Sequence, residues 1–166
     1  MKLSKKEFNE LLTELYNTPV STQKEINSRA SIVKEFTSVR EGTTEILLGS
    51  KLIHYSTKNE KLNKIIKGLT NKETKDIIAL HTIESVPPCE TKSHTDTHSV
   101  CTLNVLLEDD FEGGEFYLNN KKYNELREKG DYVVYNGGKE RHAVSKITKG
   151  VRKSLIVWYG KNKELI

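Results

Sequence analysis

The sequence predicts an α+β protein, mainly β, built on a double-stranded β-helix (jelly roll) with N-terminal helices packed on one sheet. Residues 1 to about 72 are rich in Lys, Glu, Asn and Thr and place apolar residues at helical spacing. From about Asp76 onward, short apolar runs are separated by turn residues at intervals typical of a sandwich or barrel. With 166 residues and no visible linker or repeat, we predict a single domain over 1–166. A helical and extended cover occupies 1–72, and the jelly-roll core occupies 73–166.

Two helices are predicted in the cover. Ser4 and Glu7 form a capping-box pattern at the start of the first helix. Its apolar residues, at helical spacing, are Phe8, Leu11, Leu12 and Leu15. The second helix is predicted from Asn59 to Lys67, with Gly68 near its end. Its apolar face consists of Leu62, Ile65, Ile66 and Leu69.

Extended segments account for most of the remaining chain. In the cover, Thr44–Tyr55 has the pattern of extended chain. In the core we predict strands at Asp76–Glu84, Lys92–Asp96, Ser99–Leu107, Gly114–Leu118, Tyr132–Asn136, His142–Val144 and Arg152–Tyr159. Turn residues separate these strands, among them Pro87-Pro88, Gly137-Gly138 and Lys149-Gly150.

Charge and hydropathy limit the classes of partner. The net charge is +4 and the pI about 8.9, but the lysines recur along the chain without a basic block. A nucleic-acid partner is therefore not expected, although the balance leaves an acidic partner open. No apolar run approaches the roughly 18 residues of a membrane span, and the N-terminus lacks the apolar segment of a signal peptide. We expect a soluble cytoplasmic protein with no membrane partner, in which Cys89 and Cys101 are reduced thiols.

The segment Ser93–Ser99 carries a candidate metal site. His94 and Asp96 are two residues apart, and on a strand this spacing points both side chains to one face with Cα atoms roughly 6.5 Å apart. His142, at the start of a predicted strand, can supply a third ligand. Two histidines and one carboxylate on one face leave the opposite positions open, as a non-haem iron(II) centre requires, although zinc can bind the same ligands.

His98 is not expected to join this set. In a straight strand His94 and His98 lie roughly 13 Å apart, which is too far for both to reach one ion at about 2.1 Å. We expect His98 to have a structural role or to lie at the rim of the pocket.

A candidate anion anchor follows ten residues after His142. The polar run ending at Gly150 predicts a turn, so that Arg152 lies on a strand neighbouring that of His142. Ser154 shares the face of Arg152 by strand alternation. The apolar run Leu155–Tyr159 indicates a buried strand, and a buried arginine needs an anionic partner. A guanidinium helped by a hydroxyl is suited to the far carboxylate of a dicarboxylate.

Together these motifs resemble the catalytic core of iron(II)- and 2-oxoglutarate-dependent oxygenases of the prolyl 4-hydroxylase type. The resemblance covers about half the chain, Ile78–Tyr159, and includes the HxD triplet, a strand pair leading into Gly113-Gly114, and a distal histidine followed by an arginine. The residues that match the catalytic iron ligands are His94, Asp96 and His142. The resemblance implies that Arg152, with Ser154, binds the C5 carboxylate of 2-oxoglutarate. It also implies dioxygen as a co-substrate, with ascorbate as a candidate reductant.

Two features depart from the family pattern. Many prolyl hydroxylases of this type carry a tyrosine about ten residues before the first iron-ligand histidine, but His81–Pro88 contains none. Candidate hydroxyl groups for the co-substrate are instead those of Thr82, Thr102 and Ser154, and candidate walls of the pocket are Asn104 and Phe116. The N-terminal half has no matching motif, and we expect it to carry substrate-recognition elements.

The predicted function is hydroxylation of an unactivated C–H bond, with succinate and carbon dioxide as co-products. A peptidyl prolyl residue is the predicted substrate, and a free amino acid or another small molecule is the alternative. A nucleic-acid demethylase of the AlkB type is disfavoured, because Trp158 stands where that group usually has a second arginine. A non-catalytic jelly-roll module that keeps a metal is the alternative from another class. It is disfavoured because structural metal sites usually fill all four positions with protein ligands.

Overall fold

The computed structural model describes residues 1–21 and 49–160, and within them it confirms a mainly β protein with two helices. Helix α1 covers Lys5–Asn17, helix α2 covers Glu60–Thr70, and a 3₁₀ turn covers Thr74–Asp76. The part of the extended segment predicted at 44–48 lies outside the described residues. Neither described helix is long and apolar enough to cross a membrane.

Eleven strands occur in the described ranges. They are β1 (Ser50–His54), β2 (Ile77–Ser85), β3 (Thr91–His94), β4 (Cys101–Glu108), β5 (Phe111–Gly113), β6 (Phe116–Leu118), β7 (Lys121–Lys122), β8 (Tyr132–Tyr135), β9 (His142–Val144), β10 (Ile147–Gly150) and β11 (Arg152–Tyr159). The sequence predicted the positions of seven of the core strands but not β5, β7 and β10. Of these, β7 contains only lysines and β10 only one apolar residue, so neither shows a hydrophobic period, and the end of β10 was predicted as a turn.

The strands form antiparallel sheets of five, four and two strands. The five-stranded sheet has the order β1-β2-β11-β4-β8, and the four-stranded sheet has the order β3-β9-β6-β7. The two-stranded sheet pairs β10 with β5. Apart from the β6–β7 hairpin, strands that are neighbours in a sheet come from distant parts of the chain, as in a jelly roll.

Side-chain hydrogen bonds fix where the helices begin. The Ser4 hydroxyl accepts a hydrogen bond from the Glu7 N–H, and the Glu7 carboxylate accepts one from the Ser4 N–H, so the predicted capping box is present. The Asn59 side chain accepts hydrogen bonds from two N–H groups of the first turn of α2. Gly68 does not end α2, which continues two residues further because Asn71 adopts the left-handed conformation at its C-terminus.

The helices pack on one face of the five-stranded sheet. The shared hydrophobic core contains Leu11 and Leu15 of α1, Leu62 and Ile66 of α2, and Leu80, Leu103, Val105, Leu155 and Val157 of the sheet. Because side chains alternate along a strand, the neighbours of these sheet residues point to the opposite face. On β11 those neighbours are Arg152, Ser154, Ile156 and Trp158, which line a cavity. The sheet therefore separates a helix-covered core from a candidate site.

Candidate active site

Two histidines face each other across a pair of antiparallel strands at the mouth of the cavity. His94 ends β3 and His142 begins β9, and the two are direct cross-strand partners with ring centroids 4.4 Å apart. His94 Nδ1 lies 2.7 Å from the carbonyl oxygen of Lys92, and His142 Nδ1 lies 2.9 Å from that of Glu140. A carbonyl only accepts, so each Nδ1 carries a proton, and each Nε2 points to the Asp96 carboxylate, where a metal ion would take the place of the Nε2 proton.

Asp96 completes the group from a turn beyond the end of β3. Its carboxylate lies 3.3 Å from His94 Nε2 and 3.0 Å from His142 Nε2. The sequence placed Asp96 on a straight strand with His94, but β3 ends at His94. The chain turns there because the Asp96 N–H donates to the Gly137 carbonyl and its own carbonyl accepts from the Ser99 N–H.

A close approach of Gly137 shapes the position of this carboxylate. A Cβ at residue 137 would lie 2.4 Å from Thr102 Oγ1 and 3.2 Å from Asp96 Oδ2. Only glycine leaves room there for both side chains. The Gly137-Gly138 pair was predicted only as a turn, and its contact with the acidic residue is a long-range feature that the dipeptide alone does not reveal.

The three side chains form a compact and charged set of donors. One ligand atom from each of His94, Asp96 and His142 lies within 4.8 Å of the others, and His98 is not part of the group. Burial raises the pKa of Asp96, but hydrogen bonds with His142 and His94 outweigh burial and lower the pKa to about 2. Burial lowers the pKa of His142, yet its hydrogen bond to Asp96 outweighs that effect and raises it. The carboxylate is therefore anionic near neutral pH and can balance a cation.

Arg152 lies at the other end of the cavity and is only 6% exposed. The sequence placed it on a strand neighbouring that of His142. In the structure β11 belongs to the five-stranded sheet and β9 to the four-stranded sheet, because β10 intervenes and carries the chain from one sheet to the other. The two residues therefore contribute to the same cavity from different sheets.

The hydrogen bonds of Arg152 leave one nitrogen without a partner. Nε donates to the Gly114 carbonyl at 3.1 Å, and Nη1 donates to Ser154 Oγ at 3.0 Å. Nη2 is buried and has no hydrogen-bond partner among residues 1–21 and 49–160. Burial lowers the pKa of Arg152 to about 10, so the group remains a buried cation near neutral pH. A buried cation with a free donor requires an anion.

Between the two ends, the cavity wall carries polar groups that the sequence identified only in part. Asn104, predicted as a wall, lines the cavity, and its Oδ1 is buried with no hydrogen-bond partner in the described part of the chain. Phe116, also predicted as a wall, lines it too. Tyr135 was not predicted. Its ring lies 5.0 Å from that of His142, burial raises its pKa well above the usual value, and Asn104 forms a hydrogen bond with it.

Two predicted hydroxyl groups do not line the cavity. Thr82 is the cross-strand partner of Leu155 and so points toward the helix-covered core, while its neighbours His81 and Ile83 line the cavity. Strand alternation is the physical reason for this error. Thr102 is also fully buried, and its hydroxyl lies 2.8 Å from that of Ser99. Of the three hydroxyl candidates, the structure brings only Ser154 to Arg152.

The wall also contains His81 and Trp158, to which the sequence assigned no role in the pocket. Their rings lie 5.4 Å apart in an edge-on arrangement. β2 and β11 are neighbours in one sheet, so His81 and Trp158 lie on the same face as Arg152. A prediction that paired these two strands would have placed both residues in the pocket.

No family model and no curated protein matches this sequence. Solved structures match its fold. The viral collagen prolyl hydroxylase of Paramecium bursaria Chlorella virus-1, solved with 2-oxoglutarate, is 13% identical with a TM-score of 0.52, and the match covers 79% of this chain and 90% of that one. A 2-oxoglutarate–iron(II) oxygenase family protein from Burkholderia pseudomallei is 15% identical with a TM-score of 0.50 over 64% of this chain.

The match to the Burkholderia protein spans 54% of that chain, about half of its length. A Thermotoga maritima structure described as a predicted oxalate decarboxylase has a TM-score of 0.45 and 15% identity, with 67% of this chain and 80% of that chain covered. At identities this low, the two matches with TM-scores of 0.50 and 0.52 show a shared fold alone, and a fold does not select a reaction. The assignment of function depends on the residues of the cavity.

Proposed function

We propose that this protein is an iron(II)- and 2-oxoglutarate-dependent dioxygenase. The observation that carries the proposal is that one cavity holds the donors His94, Asp96 and His142 at one end and the unpartnered Nη2 of Arg152 at the other. A bound metal ion alone would explain the three donors but not the buried guanidinium. A ligand with a metal-binding group and a distant carboxylate accounts for both.

The donor set fits iron(II). Two imidazole Nε2 atoms and one carboxylate that converge from one side leave further coordination positions for a chelating co-substrate and for dioxygen. The outer hydrogen bonds to backbone carbonyls hold both rings in the orientation that binding needs. When bound, iron(II) supplies dioxygen activation coupled to oxidative decarboxylation of 2-oxoglutarate, giving succinate, carbon dioxide and a hydroxylated substrate.

The other end fits the distal carboxylate of 2-oxoglutarate. The Nη2 group of Arg152 would donate to this carboxylate, and Ser154 would keep the guanidinium oriented through its hydrogen bond to Nη1. The Asn104 amide and the Tyr135 hydroxyl offer further polar contacts along the ligand. The apolar walls Phe116 and Ile156 keep water from the space between the two ends.

A peptidyl prolyl residue is the substrate we propose, supported by the order of motifs in the second half of the chain. A free amino acid or another small molecule is the alternative. The His94 side chain is 37% exposed, so the metal donors are open to solvent on this side. Either class of substrate could approach them there. The partly open mouth gives a substrate access to the metal end.

The test is succinate formation from 2-oxoglutarate by the purified protein with iron(II), ascorbate and air. Proline-containing peptides and free amino acids are screened for stimulation of turnover and for a mass gain of one oxygen atom. Stimulation by a peptide supports the prolyl assignment, and stimulation by free amino acids alone contradicts it. Iron binding without any 2-oxoglutarate binding or turnover would overturn the proposed activity and favour a metal-binding module.

A further inference from the structure

We propose that Arg127 is a positioning residue for the carboxylate anchor. It holds Phe111 and the Gly113–Gly114 segment in place, and these in turn fix the guanidinium of Arg152. The inference rests on the proposed function, since it gives Arg152 the task of binding a 2-oxoglutarate carboxylate.

The side chain of Arg127 reaches back to the end of β5. Its Nη1 donates to the Gly113 carbonyl at 2.9 Å, and its Cζ lies 4.6 Å from the centroid of the Phe111 ring. Nη2 makes a longer contact, 3.5 Å, with the Phe111 carbonyl. Although residue 127 is exposed, its guanidinium is therefore held against the chain rather than extended into water.

The same segment contacts the anchor from its other side. Arg152 donates through Nε to the Gly114 carbonyl, and its Cζ lies 5.9 Å from the Phe111 ring centroid. A Cβ at residue 114 would lie 3.0 Å from Phe111 and 3.1 Å from Arg152 Cδ, so the three residues are packed without spare room. A shift of Phe111 or of the Gly113–Gly114 segment must therefore change the direction in which Nη2 of Arg152 points.

The backbone of Arg127 is itself fixed. Its N–H donates to Asp131 Oδ2 at 3.0 Å, and the Glu128 N–H donates to the same oxygen at 2.7 Å. Leu126, the preceding residue, is buried in a cluster with Phe111 and Phe116. The guanidinium thus extends from a rigid turn, which a positioning role requires.

Arginine suits this role better than lysine. Its planar group can donate to a carbonyl and stack on a ring at once, whereas an ammonium group does so with less directional control. Arg127 also adds a like charge near Arg152: burial is the main cause of the lowered pKa of Arg152, and Arg127 acts in the same direction. A bound dicarboxylate would relieve this repulsion, so the pair favours an anion in the cavity.

Binding of 2-oxoglutarate to the full chain with iron(II), measured by calorimetry without oxygen, tests the proposal. We expect Arg127→Met to weaken 2-oxoglutarate about tenfold, or about 1.4 kcal/mol. Arg127→Lys should fall between Met and wild type. Affinity for 2-oxobutyrate, which lacks the distal carboxylate, should not change. Lys121→Met removes the same charge from an exposed residue of β7 and should leave both affinities unchanged.

A second measurement needs no ligand. The Nε–H of Arg152 is assigned by NMR from its loss in Arg152→Lys, and its exchange with water is compared between variants. We expect faster exchange in Arg127→Met than in wild type or Lys121→Met. If Arg127→Met does not fold, Arg127→Gln, which keeps a donor, replaces it in both measurements.

The outcomes separate the two proposals. Unchanged exchange together with unchanged 2-oxoglutarate affinity overturns the role of Arg127, and so does an equal loss of affinity for 2-oxoglutarate and 2-oxobutyrate. If the wild type binds no 2-oxoglutarate but exchange still accelerates in Arg127→Met, the proposed function fails while the positioning role stands.

Discussion

At the metal end of the cavity (His94, Asp96 and His142) the polar groups contact one another, whereas at the anion end (Arg152 and Ser154) one donor has no partner among the described residues. Asp96 lies within 3.3 Å of both imidazoles, and its negative charge is stabilised by them. Arg152 is more deeply buried than His94, and its Nη2 contacts no acceptor of residues 1–21 or 49–160. The metal end is therefore stable without a ligand, while the anion end carries an uncompensated cation.

This difference predicts that the two ends can be disabled independently. His94 and His142 lie in the four-stranded sheet and Asp96 in the turn after β3, whereas Arg152 lies in the five-stranded sheet. In the described part of the chain no hydrogen bond joins the triad to the guanidinium. Substitutions at the metal end should abolish iron binding, and substitutions at the anion end should weaken only the dicarboxylate.

The largest effect is expected from Asp96→Ala. It removes the only anionic donor of the triad and leaves two histidines with their lone pairs. Iron(II) affinity should fall by more than the roughly 10- to 100-fold that loss of an outer-shell partner costs, and turnover should disappear. Equilibrium dialysis against iron(II) without oxygen measures the affinity.

Asp110→Ala is the matched control, since Asp110 is an exposed acidic residue between β4 and β5. It should bind iron(II) as the wild type does. Iron affinity that is equal in Asp96→Ala and wild type would exclude Asp96 as a ligand.

At the anion end, Arg152→Gln should give the next largest effect. Glutamine keeps one NH2 group but loses the charge, the Nε–H and the second NH2 group, so 2-oxoglutarate should bind roughly 10- to 100-fold more weakly. Iron(II) affinity should be unchanged, because the side chain does not contact the triad in any described hydrogen bond. Calorimetric titration of both ligands checks the two expectations, and a parallel loss of iron binding would contradict the independence of the ends.

A pair of glycine substitutions tests how tightly the anion end is packed. Gly114 has a φ of +61°, and a Cβ there would lie 2.5 Å from Ile147 Cδ1 and 3.1 Å from Arg152 Cδ. We expect Gly114→Ala to lower the free energy of unfolding by about 1–3 kcal/mol and to weaken 2-oxoglutarate binding.

Gly68→Ala is the control for this pair. Gly68 lies inside α2, and no atom of the described residues lies within 4 Å of a Cβ built on it. The free energy of unfolding should rise by about 0.5–1 kcal/mol with no change in ligand affinity. Urea unfolding measures both proteins, and a destabilised Gly68→Ala would show that the helix packs there more closely than the structure indicates.

Local features of the fold could be predicted from the sequence, whereas contacts between distant strands could not. Local patterns predicted the helices and seven core strands, because spacing along one chain segment determines face and cap. His94, Asp96, His142 and Arg152, which the sequence predicted as site residues, line one cavity in the structure. The direct pairing of His94 with His142 could not be read from spacing, because it depends on which strands are neighbours in a sheet.

Residues missed or misassigned at the site share one cause. Thr82 was assigned to the pocket because it lies near the position at which many prolyl hydroxylases carry a tyrosine. The register of β2 against β11 instead points its side chain toward the helices. Tyr135 lines the cavity from β8, which is far in sequence from His81–Pro88, where the family pattern predicts a tyrosine. Register is set by long-range pairing, and a shift of one residue reverses every side chain.

The smallest effect, and the sharpest test of that register, comes from two hydroxyl deletions. Ser154→Ala removes the acceptor of Arg152 Nη1 and should weaken 2-oxoglutarate about two- to tenfold. Thr82→Val removes a hydroxyl from the opposite face of the same sheet and should leave 2-oxoglutarate affinity unchanged. Calorimetry on both variants decides the point. A loss of affinity in Thr82→Val that matched the loss in Ser154→Ala would mean that β2 is shifted by one residue relative to β11, because only that shift would bring the Thr82 side chain to the face occupied by Ser154.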